Sequence, residues 1–345
     1  MNIGQTILST KALAVGYTNT QPLIKQLDVS VRQGELICLL GTNGSGKSTL
    51  LRTLSGMQKA LSGEVFLLNQ LIQELHAKAK ARQLSLVLTE RGIAPNLSAY
   101  ELIAMGRHPY TSWFGGLGKK DLEVIEQAME ATGTQNFANR AFFRLSDGER
   151  QKVLIARALA QDTPLIILDE PTVHLDLPNR VEIMQLLHSL AHQQQKAILM
   201  SSHDLELVLQ TADQLWLLHQ QKIVSGIPED LVLQGQLKNS FQSKNLRFDR
   251  QRGSFVLRRH TQHLINLQGE GEVAHWTQQA LERVGYKVVH DSSIRLSVSI
   301  QKTSPVPTWV LQVANEAVMC RSLSALVHSL LQKHGSVTST LSEKE

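Results

Sequence analysis

The run Gly41-Thr42-Asn43-Gly44-Ser45-Gly46-Lys47-Ser48-Thr49 gathers three glycines, a lysine and several hydroxyls in one short stretch. Its spacing, G-x-x-x-x-G-K-[ST], suits a loop whose backbone amides cradle a polyphosphate. Gly41, Gly44 and Gly46 let the chain bend until those amides face one anion. The N-terminus of a following helix adds partial positive charge. Lys47 is expected to reach the β- and γ-phosphates, and the Ser48 hydroxyl to bind Mg²⁺. Asn43, Ser45 and Thr49 complete the loop. A glycine-rich turn that binds nothing is the alternative. Every position of the pattern is satisfied, however, and both flanks agree with a cradle. Glu35–Leu40 reads as a buried strand, and Leu50, Leu51, Leu54 and Met57 keep helical spacing.

A second constellation is Leu165-Ile166-Ile167-Leu168-Asp169-Glu170, an apolar run ending in two acids. Parallel strands buried on both faces read this way, and ligands bind beyond the carboxyl ends of such strands. Asp169 is placed to hold Mg²⁺ through water, and Glu170 to polarise an attacking water. Phosphoryl transfer needs mostly positioning and charge neutralisation, so one metal-holding acid and one base suffice. A solvated Asp-Glu pair capping the next helix is the bland alternative, and the apolar residues before it argue against that.

These groups need a scaffold. Residues 7–40 alternate like strands, Leu23–Val31 among them, and predict an antiparallel layer. Residues 90–145 are mostly helical in pattern, as in Asp121–Thr132, and form an inserted helical subdomain. A helix over Glu149–Ala160 follows. From 165 to 226 strands and helices alternate, as a parallel α/β core requires, and Gln214–Leu218 with Lys222–Ser225 reads as a terminal hairpin. The expected class is α/β, a P-loop NTPase fold over 1–242 with an antiparallel β layer and a helical subdomain.

Residues 246–335 form a separate α+β module: strands at Ser254–Leu257, Leu264–Leu267, Ile294–Ile300 and Thr308–Val313, and helices at Val273–Val284 and Leu323–Leu331. Gly269-Glu270-Gly271 before a helix could bind an anion, but a plain turn is the better reading. His260, His263 and His275 could bind metal, though sparse histidines on strands are more often structural. Residues 336–345 are expected to be a disordered tail. The module carries no nucleophile, metal cluster or cradle that matches, so its expected role is regulatory or dimer-stabilising.

With the cradle, Leu145-Ser146-Asp147-Gly148-Glu149 and Asp169-Glu170 in that order, the chain resembles the ATP-binding subunits of ABC transporters over residues 5–240. Leu145–Glu149 looks like the family's signature loop, usually Leu-Ser-Gly-Gly-Gln. The resemblance implies that Ser146 and Gly148 contact the γ-phosphate of an ATP held by a second copy, in a head-to-tail homodimer. It implies that Tyr17 stacks on adenine, that His203 contacts the γ-phosphate, and that Leu175-Asp176 lies in the loop between the two sites. Lys47, Glu170 and His203 are then the catalytic set, with ATP and Mg²⁺ as the groups bound.

Three positions depart from the family pattern: Asp147 where glycine is usual, Glu149 for the usual Gln, and Leu86-Val87-Leu88-Thr89-Glu90 where a strand usually ends in Gln. An acid near a polyphosphate is unfavourable unless its side chain points away. Thr89 or Glu90 could hold water or metal in place of that Gln, whose usual role is in doubt here.

Met105-Gly106-Arg107-His108-Pro109-Tyr110 is similar to a segment of importers of iron-siderophores, haem and cobalamin. Ser98-Ala99-Tyr100-Glu101 has capping-box spacing before it. Tyr110, Trp113 and Phe114 either mark a partner site or fill the subdomain's own core. Under the resemblance, this region receives a short helix of the integral-membrane permease. A periplasmic or surface substrate-binding protein is then an indirect partner.

Composition sets the remaining bounds. The chain has 345 residues, 42% hydrophobic and 19% charged, ordinary for globular domains. No apolar run approaches the roughly 20 residues of a membrane-spanning helix, and Met1–Thr10 lacks the regions of a signal peptide. Two cysteines suggest no disulfide framework. The expected location is the cytoplasmic face of the inner membrane, as a peripheral subunit. The net charge of +5 could suit nucleic acid, but the basic residues are scattered and aromatics are only 5%, so no nucleic-acid partner is expected. The competing reading is a soluble ABC-type ATPase acting on nucleic acid or ribosomes. DNA-acting relatives usually insert a long coiled coil between cradle and signature, and no sustained heptads occur there.

Overall fold

Six strands with the cradle at one end form the core of the computed structural model, which describes residues 4–17, 21–88, 96–111, 116–241, 246–250, 252–257, 263–301, 306–313 and 316–339, with side chains through residue 332. Thr89, Glu90, Trp113, Phe114 and His260 lie outside the described residues.

In chain order the first elements are β1 (Thr6–Val15), β2 (Ile24–Leu27), β3 (Ser30–Arg32), β4 (Leu36–Gly41), α1 (Lys47–Leu54), β5 (Ser62–Leu67), β6 (Gln70–Leu71), α2 (Ala77–Ala81) and β7 (Leu84–Val87). The expected strand Leu23–Val31 is two strands, both paired antiparallel with β1. The antiparallel sheet runs β2-β1-β5-β6, with β3 also on β1.

The helical subdomain holds α3 (Ala99–Ala104), α4 (Lys119–Thr132) and α5 (Asp147–Ala160). Then come β8 (Leu165–Leu168), α6 (Leu177–Gln194), β9 (Ala197–Ser201), α7 (Leu205–Thr211), β10 (Gln214–His219), β11 (Lys222–Gly226), α8 (Pro228–Leu233) and α9 (Gln236–Ser240). The central sheet has the order β11-β10-β4-β9-β8-β7. All its neighbours are parallel except the β10–β11 hairpin. β4, β8 and β9 are buried along their whole length, which is why they read as continuous apolar runs.

The segment after α3 is fixed onto α5 by two close approaches. Gly106 lies against α5 so tightly that a β-carbon there would stand 2.3 Å from Arg157 O. Arg107, buried at 3% exposure, donates from Nε to Asp121 Oδ1 at 2.8 Å and from Nη1 to Ala160 O at 2.9 Å. Truncating Arg107 would leave the Ala160 carbonyl without this bond and Asp121 without its guanidinium partner. The Tyr110 ring sits with Arg107 at 4.0 Å and Arg82 at 5.0 Å from its centroid. Its hydroxyl donates to Asp162 O at 3.4 Å. Tyr110 is thus half-buried against Arg107 of the subdomain and against Arg82 and Asp162 beyond it, rather than lying in the subdomain's own core.

The chain divides into two compact units: Met1–Ser243 with Phe248–Phe255, and Lys244–Arg247 with Val256–Glu345. A hairpin of β12 (Leu246–Asp249) and β13 (Ser254–Leu257) lies at the crossing. Phe248 belongs to the first unit's core, and Phe255 and Phe241 pack against it.

The second unit contains β14 (His263–Gln268), α10 (Glu272–Arg283), β15 (Tyr286–Val289), β16 (Leu296–Gln301), β17 (Thr308–Val313), β18 (Glu316–Cys320) and α11 (Leu323–Ser339). Its sheet runs β15-β14-β16-β17-β18, parallel across the first three strands and antiparallel beyond. β15 and β18 were not expected: each is short, and their alternation is broken by charged or exposed positions. The helix from Leu323 continues to Ser339, so residues 336–339 are helical rather than part of an irregular tail. Gly335 is tolerated there, and no proline stops the helix. Cys38 and Cys320 are both free and buried, and burial pushes the Cys38 thiol up. Its place in β4 makes it a core residue.

Candidate functional site

The cradle links β4 to α1. Gly44 (φ +76°) and Gly46 (φ +105°) adopt left-handed backbone that side chains disfavour, and Gly46 is the residue that opens α1. Gly41 is required for space, because a β-carbon there would stand 2.8 Å from Ser45 Oγ. Ser45 Oγ is itself buried without a hydrogen-bond partner among the described residues, and a bound anion would supply one. Asn43 is exposed, Ser48 half-buried and Thr49 buried.

Lys47 is only 5% exposed and folds onto the loop, donating to Gly41 O at 2.9 Å and Thr42 O at 3.3 Å. Burial pulls its pKa down, opposed by the charges of Glu170 and Asp169. A cation held at that cost, among backbone carbonyls and two carboxylates, suits an anionic ligand. Tyr17, 57% exposed, places its hydroxyl 3.3 Å from Thr49 Oγ1, so an aromatic face stands beside the start of α1.

The carboxylates arrive from β8. In the sheet, β9 lies between β4 and β8, so Asp169, Ser201 and the cradle share one carboxyl edge. Ser201 Oγ donates to Asp169 Oδ1 at 2.7 Å and accepts from Glu170 N at 2.9 Å. One hydroxyl therefore orients the Asp169 carboxylate and fixes the backbone of Glu170. Ser201 was not singled out in the sequence; its signal is a polar residue ending an apolar strand, which has meaning only once β9 is known to neighbour β8. Glu170 is held at φ +52°. A non-glycine residue in that region costs about 1–3 kcal/mol and is found at functional sites. The Glu170 Oε1 and His203 Nε2 atoms are hydrogen-bonded. Both residues line a cavity of about 220 Å³ with Thr172, His174, Arg180 and Asp204.

The signature loop opens α5. Ser146 is its N-cap, accepting from Glu149 N at 3.2 Å, while Glu149 Oε2 accepts from Ser146 N at 2.8 Å. The helix thus begins at Asp147, two residues before the expected Glu149, because Ser146 and Glu149 form a capping box that the signature pattern concealed. Its first-turn amides, Gly148 N among them, face outward from the helix start. Asp147 has its side chain 63% exposed and paired with Arg150. Asp176 caps α6, accepting from Asn179 N at 3.1 Å.

The structure therefore brings together the cradle, Asp169, Glu170 and His203 at one sheet edge. Ser146 and Gly148 lie at the start of a different helix. Thr89 and Glu90, the alternatives for the loop after β7, lie outside the described residues, as does His260 of the possible histidine cluster. No group of three His, Cys, Asp or Glu residues that could hold a metal occurs among the described residues. His263 lies against Tyr286, with ring centroids 6.0 Å apart, and His275 against Trp276 at 5.6 Å.

Residues 24–173 match the model of the ABC transporter family, and residues 261–331 that of the iron ABC transporter C-terminal domain. The chain is 38% identical over 253 residues to an ABC transporter ATP-binding protein of Methanocaldococcus jannaschii, covering 73% of this chain and 87% of that one. It is 38% identical to the petrobactin import ATP-binding protein of Bacillus anthracis (66% and 84% covered). It is 41% identical to the iron(3+)-hydroxamate import ATP-binding protein of Bacillus subtilis (57% and 73%). Among solved structures it resembles an inward-facing ABC transporter described as of metal-chelate type, with TM-score 0.61 and 28% identity over 73% of this chain and 96% of that one. It also resembles a dimeric ATP-binding cassette bound to ADP and phosphate, with TM-score 0.56 and 25% identity (64% and 99%). The chain belongs to the ATP-binding cassette family as the ATPase subunit of an ABC transporter.

Proposed function

We propose that this subunit powers import of a metal chelate of the iron-siderophore, haem or cobalamin class, working beneath a pair of integral-membrane permease subunits. The observation that carries the reading is the shared sheet edge: Lys47 in a buried cradle, with Asp169 and Glu170 both held by Ser201. The importer class is supported by the relatives named for petrobactin and iron-hydroxamate import and by the match of residues 261–331 to an iron-transporter domain. A peripheral position on the cytoplasmic face of the membrane follows from that role. No helix of the described residues is long and apolar enough to cross a membrane. A substrate-binding protein outside the membrane would then be an indirect partner.

In this reading Gly41, Asn43, Gly44, Ser45, Gly46, Lys47, Ser48 and Thr49 enclose the phosphates of ATP, and Tyr17 offers its ring to adenine. Ser48 and Asp169 would hold Mg²⁺. A donor set of one hydroxyl and one carboxylate fits this metal, which keeps waters and phosphate oxygens as its other ligands. When bound, the ion would neutralise charge on the β- and γ-phosphate oxygens. Glu170 orients the attacking water and accepts its proton as the oxygen bonds to the γ-phosphorus and the bond to ADP breaks. His203, bonded to Glu170, holds that carboxylate in place and faces the departing phosphate. Ser146 and Gly148 serve the ATP held by a second copy in a head-to-tail pair.

The test is Glu170→Gln. ATP binding should persist, an ATP-dependent dimer should accumulate, and turnover should fall by about 10²- to 10⁴-fold, the size of a general-base effect. Wild-type turnover in this variant would overturn the assignment of Glu170.

A further inference from the structure

The start of α5 carries two carboxylates, Asp147 and Glu149, in the loop that the two-copy reading turns toward ATP. Two negative charges facing a polyphosphate oppose its approach. Each is matched by an arginine. Arg150 Nη1 meets Asp147 Oδ1 at 3.2 Å, and its other nitrogens are tied to Phe142 O at 3.3 Å and Phe143 O at 2.6 Å. Arg140 Nη1 meets Glu149 Oε1 at 2.9 Å, and its Nη2 donates to Arg144 O at 3.4 Å.

The second pair reaches further, because Glu149 also braces Ser146. One carboxylate oxygen of Glu149 takes the Arg140 bond, and the other accepts from Ser146 N at 2.8 Å. Ser146 Oγ in turn accepts from Glu149 N, so the hydroxyl keeps its own hydrogen for donation to a ligand. We propose that Arg140 is a positioning residue for nucleotide engagement: it cancels the Glu149 charge and holds Glu149 in the rotamer that braces Ser146, so that an acidic signature loop can close on ATP. This rests on the two-copy reading above.

Two further points support it. The Glu149 carboxyl is held below its ordinary value, first by the Ser146 backbone amide and then by the Arg140 charge. The Arg140–Glu149 pair is also half exposed on the arginine side. Such a pair contributes little to folding, which separates a role in ATP engagement from a role in stability. A glutamine at position 149 could make the same capping box without a charge, and Arg140 would then have nothing to neutralise.

That difference supplies the experiment. In full-length Glu170→Gln protein, ATP-driven dimerisation is followed by analytical ultracentrifugation across ATP concentrations, with and without Arg140→Ala and with and without Glu149→Gln. Arg140→Ala should raise the ATP needed for half-dimerisation by about tenfold, a size common for directly coupled pairs. In the Glu149→Gln background the same change should cost less than about twofold. Added salt should shrink the first effect and leave the second unaltered. Equal losses in both backgrounds overturn the proposal. If Glu170→Gln protein binds ATP but never dimerises, the two-copy reading fails and this proposal falls with it. Arg140→Gln replaces Arg140→Ala if the latter does not fold, with the same outcomes required.

Discussion

Asn179 Oδ1 lies 2.5 Å from the point where a β-carbon on Gly148 would stand. Asn179 is not free to retreat: its Nδ2 donates to Asp176 Oδ1 at 2.6 Å, and the same oxygen accepts from its backbone. The glycine of the signature loop is thus packed against the residue that closes the cap of α6, and the Leu175-Asp176 loop is mechanically joined to the start of α5. Gly148→Ala must either displace Asn179 from Asp176 or push α5 outward. Overpacking of this kind costs about 1–3 kcal/mol. ATP-dependent dimerisation should weaken by about tenfold in Gly148→Ala, and Gly148→Ala/Asn179→Ala should recover most of it. A double variant no better than the single one would show that Gly148 is needed for something other than this contact, such as direct approach of a phosphate.

Three helices of the subdomain are capped by carboxylates whose affinity for protons is lowered by the caps themselves. Glu101 accepts from Ser98 N and Oγ, Asp121 from Gly118 N, and Glu149 from Ser146 N. For each, the backbone hydrogen bond is the leading cause of the depression. Folded values below the unfolded ones mean that the stabilisation is whole above the ordinary values of 4.5 for the glutamates and 3.8 for the aspartate, and is lost as pH falls through the lower folded values. Hydrogen exchange, corrected for its intrinsic pH dependence, should therefore show the first turns of α3, α4 and α5 opening in acid before β4, β8 and β9. Glu149→Gln should remove the acid sensitivity of α5 alone. Simultaneous opening of the central strands and these turns would refute the idea.

The site was legible where a motif is contiguous. Gly41–Thr49 and Asp169-Glu170 announce their chemistry through short-range spacing, because a cradle and a strand end each need only adjacent residues. What escaped was chemistry assembled across the sheet. Ser201 bonds Asp169 and Glu170 from more than thirty positions away, and only the order β4-β9-β8 puts it there. Asn179 against Gly148 is hidden for the same reason. Asp147 and Glu149 read in sequence as departures from a family pattern. Arg150 sits three residues beyond Asp147 on the same helix, a spacing that pairs them once α5 is known to start at Asp147, whereas Arg140 reaches Glu149 only because the loop before α5 folds back. In the second unit, β15 and β18 were missed because short strands at the side of a sheet need not alternate cleanly. α5 starts two residues before the spacing predicts, because Gly148 reads as loop while the Ser146–Glu149 capping box already draws Asp147 and Gly148 into the first turn.

The first unit does not end at Phe241: it takes in Phe248–Phe255 from beyond the helix α9. A chain stopping at Phe241 loses Phe248, which is 7% exposed in the first unit's core, and Phe255, which packs against that core. The three rings are in contact, with centroids 5.0 Å apart for Phe248 and Phe255 and 5.7 Å for Phe241 and Phe255. Deleting a buried phenylalanine costs about 3 kcal/mol, which for a domain of this size lowers Tm by roughly 6–12 °C. A chain ending at Leu257 retains all three rings. It should bind ATP and keep basal hydrolysis, with a cassette transition near that of the full chain, while dimerisation or the response to the permease changes. The chain ending at Phe241 should melt earlier. Equal melting of the two shortened chains would detach the hairpin from the cassette. A folded chain ending at Leu257 that cannot bind ATP would show that the second unit completes the nucleotide site, and the regulatory or dimer-stabilising role expected from the sequence would have to be abandoned.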